Sequence, residues 1–555
     1  MKTTPIACRS AAALLLFALL SGCAVTPSAI TKADRQQQIV EDKNAMFMGQ
    51  AVVSGPITLE DAVARALKYN LDNRVKQMEE AVSQRMLDTA NFNLLPKLTA
   101  QAGYSSRSNE YSSNSQDLKT GKLIEVSSTS QDKAHTASDL TFSWSLLDFG
   151  ASYYQAKQMA DQSLVIQERR RKVLQTMTQQ VRQAYWQAVG AQLLETKIEQ
   201  VKRAAEQALS DSRTIESERL RSPLESLNYQ RQMLDLLRQL EGVQDELTQA
   251  KPRLASIMNL PPSTDFKVVV PSGLDVPDVT SSIDAMEQQA LLNRPELMEA
   301  SYNERISVLE TRKAITRLFP GVEFTAGVNY DTNSFLVNDQ WNMAGMRVGW
   351  NLLNVLNINN TRALAKAQVD ASHEQRLALS MAVLTQVHVA YRDYLSRKHQ
   401  FDRSNDMFSV DQRILNHTRN AANSSSDSRL QEMRASTSAL MSELRYYQSY
   451  GALQSAYGQI LATLGVDLLP ASQASSDLSS LSQAVKQAGQ TADQTFGTRF
   501  TPAADPRALP IAPAAAAPAP EASAANTEPA AAAAATTPTK KSRKHRRNHK
   551  NKGAQ

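Results

Sequence analysis

The residues best suited to chemistry in this 555-residue chain are not arranged as a reaction centre. His373, His388, His399 and His417 stand singly in helical runs, and no Ser-His-Asp set or carboxylate pair stands out. There is no GxxxxGKS/T loop, no GxGxxG after a strand and no HExxH, so the phosphate, dinucleotide and zinc-protease sites that such spacings build are not offered. The sequence reads as a non-enzyme with no cofactor and no metal. Its polar chemistry is laid out by period instead. Lys97, Thr99, Gln101 and Gly103 alternate with Leu98, Ala100, Ala102 and Tyr104, and Thr141, Ser143 and Ser145 with Leu140, Phe142, Trp144 and Leu146. Further on, Glu323, Thr325, Gly327 and Asn329 alternate with Val322, Phe324, Ala326, Val328 and Tyr330, and Arg347, Gly349 and Asn351 with Met346, Val348, Trp350 and Leu352. Successive side chains of a strand point to opposite faces, so four strands are predicted, each with one apolar and one polar face.

Strands of roughly 9–11 residues, apolar outward, polar inward and aromatic toward their ends, suit a membrane β-barrel around a wet lumen. On that reading Leu98, Tyr104, Phe142, Trp144, Phe324, Tyr330, Val348 and Trp350 face lipid. Lys97, Thr99, Gln101, Thr141, Ser143, Ser145, Glu323, Thr325, Asn329, Arg347 and Asn351 face the lumen. A half-buried antiparallel sheet in a soluble protein would carry the same alternation. Four strands cannot close a barrel, for which roughly eight is the practical minimum, and each unpaired edge group is costly in lipid. A barrel must therefore be assembled from several chains, and three chains rather than two leave an obvious aqueous channel.

The elements that position these strands occur twice. Thr58-Leu59-Glu60-Asp61-Ala62 returns as Ser282-Ile283-Asp284-Ala285-Met286, Ala66-Leu67 as Ala290-Leu291, and Leu94-Leu95-Pro96 as Leu318-Phe319-Pro320, each 224 residues on. The offset then becomes 206, for Trp144 with Trp350, Leu146-Leu147 with Leu352-Leu353, and Ala184-Tyr185 with Ala390-Tyr391. The offsets differ by 18, which places an eighteen-residue longer loop in the first copy, within the Ser-, Asn- and Thr-rich segment Ser105–Ser138. The chain is a tandem duplication. Each copy is predicted to open with a helix capped by Thr58 or Ser282, to stop before Pro96 or Pro320, and to run through two strands. A very long helix, a break and a last helix of roughly 35 residues complete it. The first long helix, from near Tyr153 to Glu218, would measure about 100 Å at about 1.5 Å per residue. At the breaks, Ser222-Pro223-Leu224-Glu225 reads as an N-cap, a helix-first proline and a capping-box acid, and Ser428-Arg429-Leu430-Gln431 as a second capping box. Each marks a hairpin tip. Met233, Leu236, Leu240, Val243, Leu247, Ala250 and Leu254 form a heptad seam for neighbouring helices, and Pro252 is expected to kink that helix near its end.

Composition supports long helices. Gly is 19 of 555 residues, about half the usual share of about 7%, while Ala, Leu, Gln, Arg and Glu prevail. The net charge of +6 includes eight Lys and Arg within the last sixteen residues, so the rest of the chain sums to −2 and a nucleic-acid partner is not expected. Met1–Gly22 reads as a signal segment, with Lys2 and Arg9 ahead of an apolar stretch, Ala11–Leu20; that stretch is far short of the roughly 20 residues that span a bilayer. Leu20-Ser21-Gly22-Cys23 resembles a bacterial lipobox, which implies cleavage before Cys23 and its acylation. The mature chain would then hold one cysteine and no intrachain disulfide. The expected organisation is a signal peptide at 1–22, a lipid-anchored segment at 23–56, one repeat at 57–271, a linker at 272–281, a second repeat at 282–470 and a tail at 471–555. The tail is Ala- and Pro-rich, is expected to be disordered, and ends in the basic cluster. That cluster is either simply solvated or a contact for anionic envelope polymer.

The duplicated order of these motifs over Ile57–Pro470 resembles the TolC-type outer-membrane efflux family, in its lipoprotein branch. The quoted features are Thr58-Leu59-x-x-Ala62, the Leu-Pro or Phe-Pro before each strand pair, the Ala-Tyr of each long helix, and Leu461–Gly465. The resemblance implies a mainly α chain with a membrane β part. Three copies would form a twelve-stranded barrel in outer-membrane lipid, continued by a periplasmic helical tunnel. It also implies a passive duct that docks to a periplasmic adaptor (membrane fusion protein) and an inner-membrane pump, as the exit of a tripartite efflux or type I secretion system. Residue Ala24 is not the aspartate that retains such lipoproteins in the inner membrane. The family narrows its tunnel with aspartates just after the second hairpin tip, and those positions fall here on Gln431 and Arg434, with Asp427, Glu432 and Glu225 nearby in sequence or in the repeat. Small-molecule efflux and one-step protein secretion share this architecture, and a lipid-anchored periplasmic coiled-coil scaffold is the reading from another class.

Overall fold

A computed structural model of the chain describes residues 27–218, 222–271, 273–421, 426–467 and 477–503, with backbone alone at 355, 421 and 426–430. Cys23 and the stretch from 504 onward lie outside the described residues. After an exposed helix α1 (Lys32–Phe47), both repeats begin as their caps dictate. The Thr58 hydroxyl accepts from the Asp61 amide at 3.0 Å and Asp61 Oδ2 accepts from the Thr58 amide at 3.3 Å, a capping box that starts α2 (Leu59–Tyr69). The Ser282 hydroxyl starts α6 (Ile283–Asn293) in the same position of the second repeat.

Where one helix per repeat was expected there are two. Helices α3 (Leu71–Phe92) and α7 (Pro295–Thr316) follow after single-residue breaks at Asn70 and Arg294, which are again 224 apart. Arg294 is extended, with ψ 127°, as the residue before a proline prefers. Asn70 is likewise out of the helix and caps α3 through the Asn73 amide at 3.2 Å.

The strands come next: β1 (Lys97–Ser106), a two-residue pair β2 (Ser112–Ser113) and β3 (Ser128–Thr129) inside the longer loop, and β4 (Ala134–Ser145). In the second repeat β6 (Gly321–Asp331) and β7 (Gln340–Gly349) follow α7. β1, β4, β6 and β7 make one antiparallel sheet in the order β1-β4-β6-β7, so β1 and β7 are its edges. From β4 the chain passes directly into α4 (Leu146–Ser217), which at 72 residues and about 1.5 Å per residue is about 108 Å long. α5 (Pro223–Ile257) returns beside it and runs on through Pro252. In the second repeat a short α8 (Leu353–Leu356) precedes α9 (Ile358–Ala421), and α10 (Ser426–Thr463) returns. Next to the sheet the helices pack in the order α3, α4, α7, α9; toward the hairpin tips the order is α5, α4, α10, α9. The heptad seam on α5 is buried as its spacing requires, with Met233, Leu240 and Leu254 at 0% exposure.

Two expectations are corrected. The 272–281 linker contains a strand, β5 (Asp275–Asp278), and residues beyond 470 are not all tail. Helix α11 (Leu478–Thr495) packs on α2, and β8 (Arg499–Pro502) pairs antiparallel with β5. Leu481 and Val485 join the core of Ile57, Val63 and Leu67, while Ala492 and Phe496 join that of Tyr450, Leu453 and Tyr457. The physical reason is an apolar stripe at helical spacing, Leu478, Leu481, Val485 and Ala492, hidden within Ser-, Ala- and Gln-rich composition.

Candidate functional site: the strand sheet and the hairpin tips

The register brings the proposed lipid-facing and lumen-facing side chains onto separate faces of one sheet. Leu98 lies opposite Phe142, Trp144 opposite Phe324 and Val322 opposite Val348. On the other face Lys97 lies opposite Ser143, Thr99 opposite Thr141, Ser145 opposite Glu323, and Glu323 opposite Arg347. Gln101 and Asn329 both lie opposite Asp139 on that polar face, where Thr325 also falls. Tyr104 and Tyr330 share the apolar face with Phe142. Trp350 and Asn351 lie just past the end of β7. The separation is imperfect at the far end of β7, where Trp341 and Met343 fall on the polar face and Asn342 on the apolar one.

Burial is inverted relative to a water-soluble sheet. Along β6 the polar-face residues Glu323, Thr325 and Asn329 are half-buried, whereas the apolar Phe324, Val328 and Tyr330 are exposed. Phe142, Met346 and Val348 continue the exposed apolar face. Aromatics mark the ends. Trp144 stacks on Phe324 at 6.2 Å and meets Phe149 edge-on at 5.9 Å, and the Trp350 indole donates to the Leu318 carbonyl at 3.1 Å. Tyr104 lies opposite Thr136, so the distance along β4 from Trp144 is eight residues. At about 3.3 Å per residue that is about 26 Å along the strand, or about 20 Å of height at the tilt of about 40° usual in outer-membrane barrels, somewhat less than their apolar band of about 25 Å.

At the hairpin tips, Ser222 and Pro223 take the expected N-cap and first helical positions, but Ser222 makes no side-chain cap bond. Glu225 is exposed in the first turn of α5. Ser428 lies inside α10, which already includes Ser426, so it is not that helix's cap. The side chain of Asp427 lies outside the described residues. Gln431 is exposed. Glu432 pairs with Arg419 of α9 at 3.5 Å, within its own hairpin. Arg434 donates from Nη2 to Gln232 Oε1 on α5, so its partner is an amide on the other hairpin. Sequence reasoning missed this link, for which an isolated glutamine gives no signal.

Above the tips, α4, α5, α9 and α10 line a partly open hollow of about 710 Å³, whose lining includes Gln179, Gln183, Gln187, Gln448 and Gln459. Ion pairs tie the helices laterally, among them Lys197 with Glu443 at 2.5 Å and Arg376 with Glu304 at 2.6 Å. The Arg376 guanidinium, aided by His373, holds the Glu304 carboxyl below its ordinary range. Burial pushes the Tyr457 hydroxyl and the Asp493 carboxyl up, and these two groups hydrogen-bond where α10 meets the last turn of α11. His373 and His388 each pair with a single glutamate, Glu304 and Glu287. Among the described residues no group of three or more His, Cys, Asp or Glu side chains could hold a metal ion, and no helix is long and apolar enough to cross a membrane.

Sheet, hairpins and duplication together define a duplicated fold, one antiparallel sheet continued by two long helical hairpins. No protein-family model and no curated protein matches the sequence, and the likeness lies in structure. The Campylobacter jejuni CmeC outer-membrane channel superposes with a TM-score of 0.59 at 13% identity, over 85% of this chain and 94% of that one. The outer-membrane channel OprN gives 0.56 at 18% identity, over 73% and 89%. The Neisseria gonorrhoeae MtrE outer-membrane channel in its open state gives 0.52 at 15% identity, over 74% and 93%. The chain thus has the fold of the TolC-type family that its motifs resemble.

Proposed function

We propose that this chain is the passive outer-membrane exit duct of a tripartite efflux system, anchored by acylated Cys23 and assembled as a homotrimer. The observation that carries the reading is the sheet with an exposed apolar face and two unpaired edges. The helices repeat the strand order. α3 lies at the β1 edge and exposes Val75, Met78, Val82 and Met86, while α9 lies at the β7 edge and exposes Leu377, Met381 and Val389. The strand and helix layers are therefore open at the same two opposite edges, as a head-to-tail interface that closes into a ring requires. Three copies supply a barrel of roughly twelve strands around a lumen lined by Thr99, Thr141, Thr325 and their polar neighbours. The hairpin tips, at the other end, take the periplasmic adaptor and the inner-membrane pump. The duct does no chemistry. Direction comes from the pump, and the duct supplies a polar path through lipid.

The test is extraction from the outer-membrane fraction, followed by electrophoresis without heating and planar-bilayer recording. A heat-modifiable trimer that conducts is expected. A monomer that leaves the membrane once its lipid is removed and forms no channel would instead identify a periplasmic scaffold. Small-molecule sensitivity of a deletion strain is expected; loss of one secreted protein with unchanged sensitivity would move the reading to type I secretion.

A further inference from the structure

The loops at the far end of the sheet carry apolar side chains that their own chain leaves exposed. The loop after β1 is built as a hairpin: β2 pairs with β3, the Ile124 amide donates to the Ser115 carbonyl at 2.8 Å, and Asp117 Oδ1 accepts from the Lys119 amide at 2.8 Å. Gly121 takes the turn at φ 67°, where a side chain would be strained. Leu118, Leu123, Ile124 and Val126 are nevertheless 100%, 66%, 47% and 78% exposed. In the loop before β7, Phe335, Leu336 and Val337 are 50%, 40% and 99% exposed. Clustered apolar surface of this kind marks an interaction site.

The duplication identifies the partner. Within the chain, β4 pairs with β6, and at the outer end the residues after β6 clasp the start of β4 and the residues before it. Ser334 Oγ donates to Asp132 Oδ1 at 2.9 Å, the Asp132 amide to Asn333 Oδ1 at 2.9 Å, and the Thr136 amide to Thr332 Oγ1 at 2.8 Å. β7 is the repeat equivalent of β4, and β1 that of β6. The same junction therefore has a counterpart in which β7 of one copy meets β1 of the next. Adding 206 to the β4 numbers and subtracting 224 from the β6 numbers carries the register across. Leu140↔Val328 becomes Met346 with Tyr104 of the next copy, and Thr141↔Gly327 becomes Arg347 with Gly103 of the next copy. Apolar face meets apolar face and polar meets polar, a check that a transfer of odd parity would have failed. By the same transfer Ser130 and Asp132 map onto Leu336 and Asn338, and Thr332–Ser334 onto Ser108–Glu110 at the base of the hairpin.

We propose that the hairpin of each copy packs Leu118, Leu123, Ile124 and Val126 against Phe335, Leu336 and Val337 of the preceding copy, whose β7 meets its β1, an apolar clasp beyond the barrel. The eighteen-residue extension is then the member that reaches between chains, while the short second loop meets its partner within one chain. The proposal rests on the multi-chain barrel above and adds a contact that the barrel does not require.

Cysteine pairs in the full-length chain separate the two. Gly103→Cys with Arg347→Cys reports the strand junction, and nothing lies within 4 Å of a Cβ added at Gly103. Val126→Cys and Leu118→Cys, each with Val337→Cys, report the clasp. On oxidation in isolated outer membranes, the strand pair and at least one clasp pair should convert monomer into covalent dimer and trimer. Chains with only Val126→Cys or Leu118→Cys, mixed with chains with only Val337→Cys, should give covalent dimers that neither gives alone. A strand ladder without clasp links, links confined to one chain, or hairpins linking to each other would overturn the clasp and leave the barrel standing. Protection of Val126→Cys by lipid without any link would assign the patch to the bilayer and also overturn it. Absence of the strand ladder would overturn both.

Discussion

Leu140 and Thr141 are neighbours at one depth on opposite faces of the sheet, so one substitution at both isolates the face from the depth. Leu140 is 47% exposed and lies opposite Ala100 and Val328, midway between the aromatic ends of the apolar face. Thr141 lies opposite Thr99 and Gly327, and its hydroxyl donates to Asp139 Oδ2 at 2.9 Å. An arginine against lipid costs about 2–4 kcal/mol at the bilayer midplane and about 0–1 kcal/mol near the interfaces. Three copies of Leu140→Arg therefore cost the trimer about 6–12 kcal/mol, comparable with the whole stability of a typical domain. Thr141→Arg meets water and the Asp139 carboxylate, so assembly should survive while conductance falls and cation preference weakens. Trp144→Arg and Val348→Arg sit nearer the helix end of the strands, where the charge reaches the interface and the lipid penalty shrinks. The assay is the yield of SDS-resistant trimer in outer membranes with temperature, followed by single-channel recording. Equal loss of trimer for Leu140→Arg and Thr141→Arg would refute the assignment of faces, and with it the barrel.

Arg434→Asp should shift the channel toward cations and break the link to Gln232; unchanged reversal potentials in asymmetric salt would place this arginine outside the pore. Phe496→Ala empties a site that is 6% exposed and should cost about 3–5 kcal/mol, lowering the temperature at which the helical circular-dichroism signal is lost; an unchanged melt would mean that the segment after 476 does not hold the repeats together. Glu304 is held below its ordinary value of 4.5 first by Arg376. A depressed carboxylate stabilises above its unfolded pKa and loses that contribution as pH falls, so the destabilisation of Arg376→Met should be full at neutral pH and fade below about pH 4.5; a pH-independent deficit would assign it to packing alone. Cys23→Ser should abolish acylation, read by mass spectrometry of the mature N-terminus, while trimers still insert; an unmodified Cys23 in the parent chain would overturn the anchor.

Strict periods and repeated spacings were legible in the sequence; contacts that cross from one repeat to the other were not. The strands were readable because alternation survives even where burial is inverted, as Phe324, Val328 and Tyr330 show. Thr58 and Ser282 announced their helices because a cap hydroxyl acts within three residues. The breaks at Asn70 and Arg294 went unread, although Pro295 is a local signal, because both helices continue in nearly one apolar pattern. α11 escaped because its stripe is short and many of its partners, Ile57 and Val63 among them, are far away in sequence. Ser428 was misplaced by a motif read without its surroundings: Ser, Arg, Leu and Gln also fit the first turn of a helix already under way.

The tip chemistry separates two tasks that a carboxylate would combine. An Arg–Asp link between hairpins would join them and cancel the charge in one step. Gln232 accepts a hydrogen bond from Arg434 and leaves the guanidinium charge intact, whereas Glu432 is compensated by Arg419 within its own hairpin. The repeat shows the same substitution of roles, since Gln431 and Arg434 occupy the places that Glu225 and Asn228 hold in the first copy at the 206 offset. A neutral acceptor also makes the link less dependent on ionic strength than an ion pair at the same exposure would be. Arg434 can thus contribute to joining the hairpins while its positive charge stays at the tip, available to whatever anionic group approaches the opening.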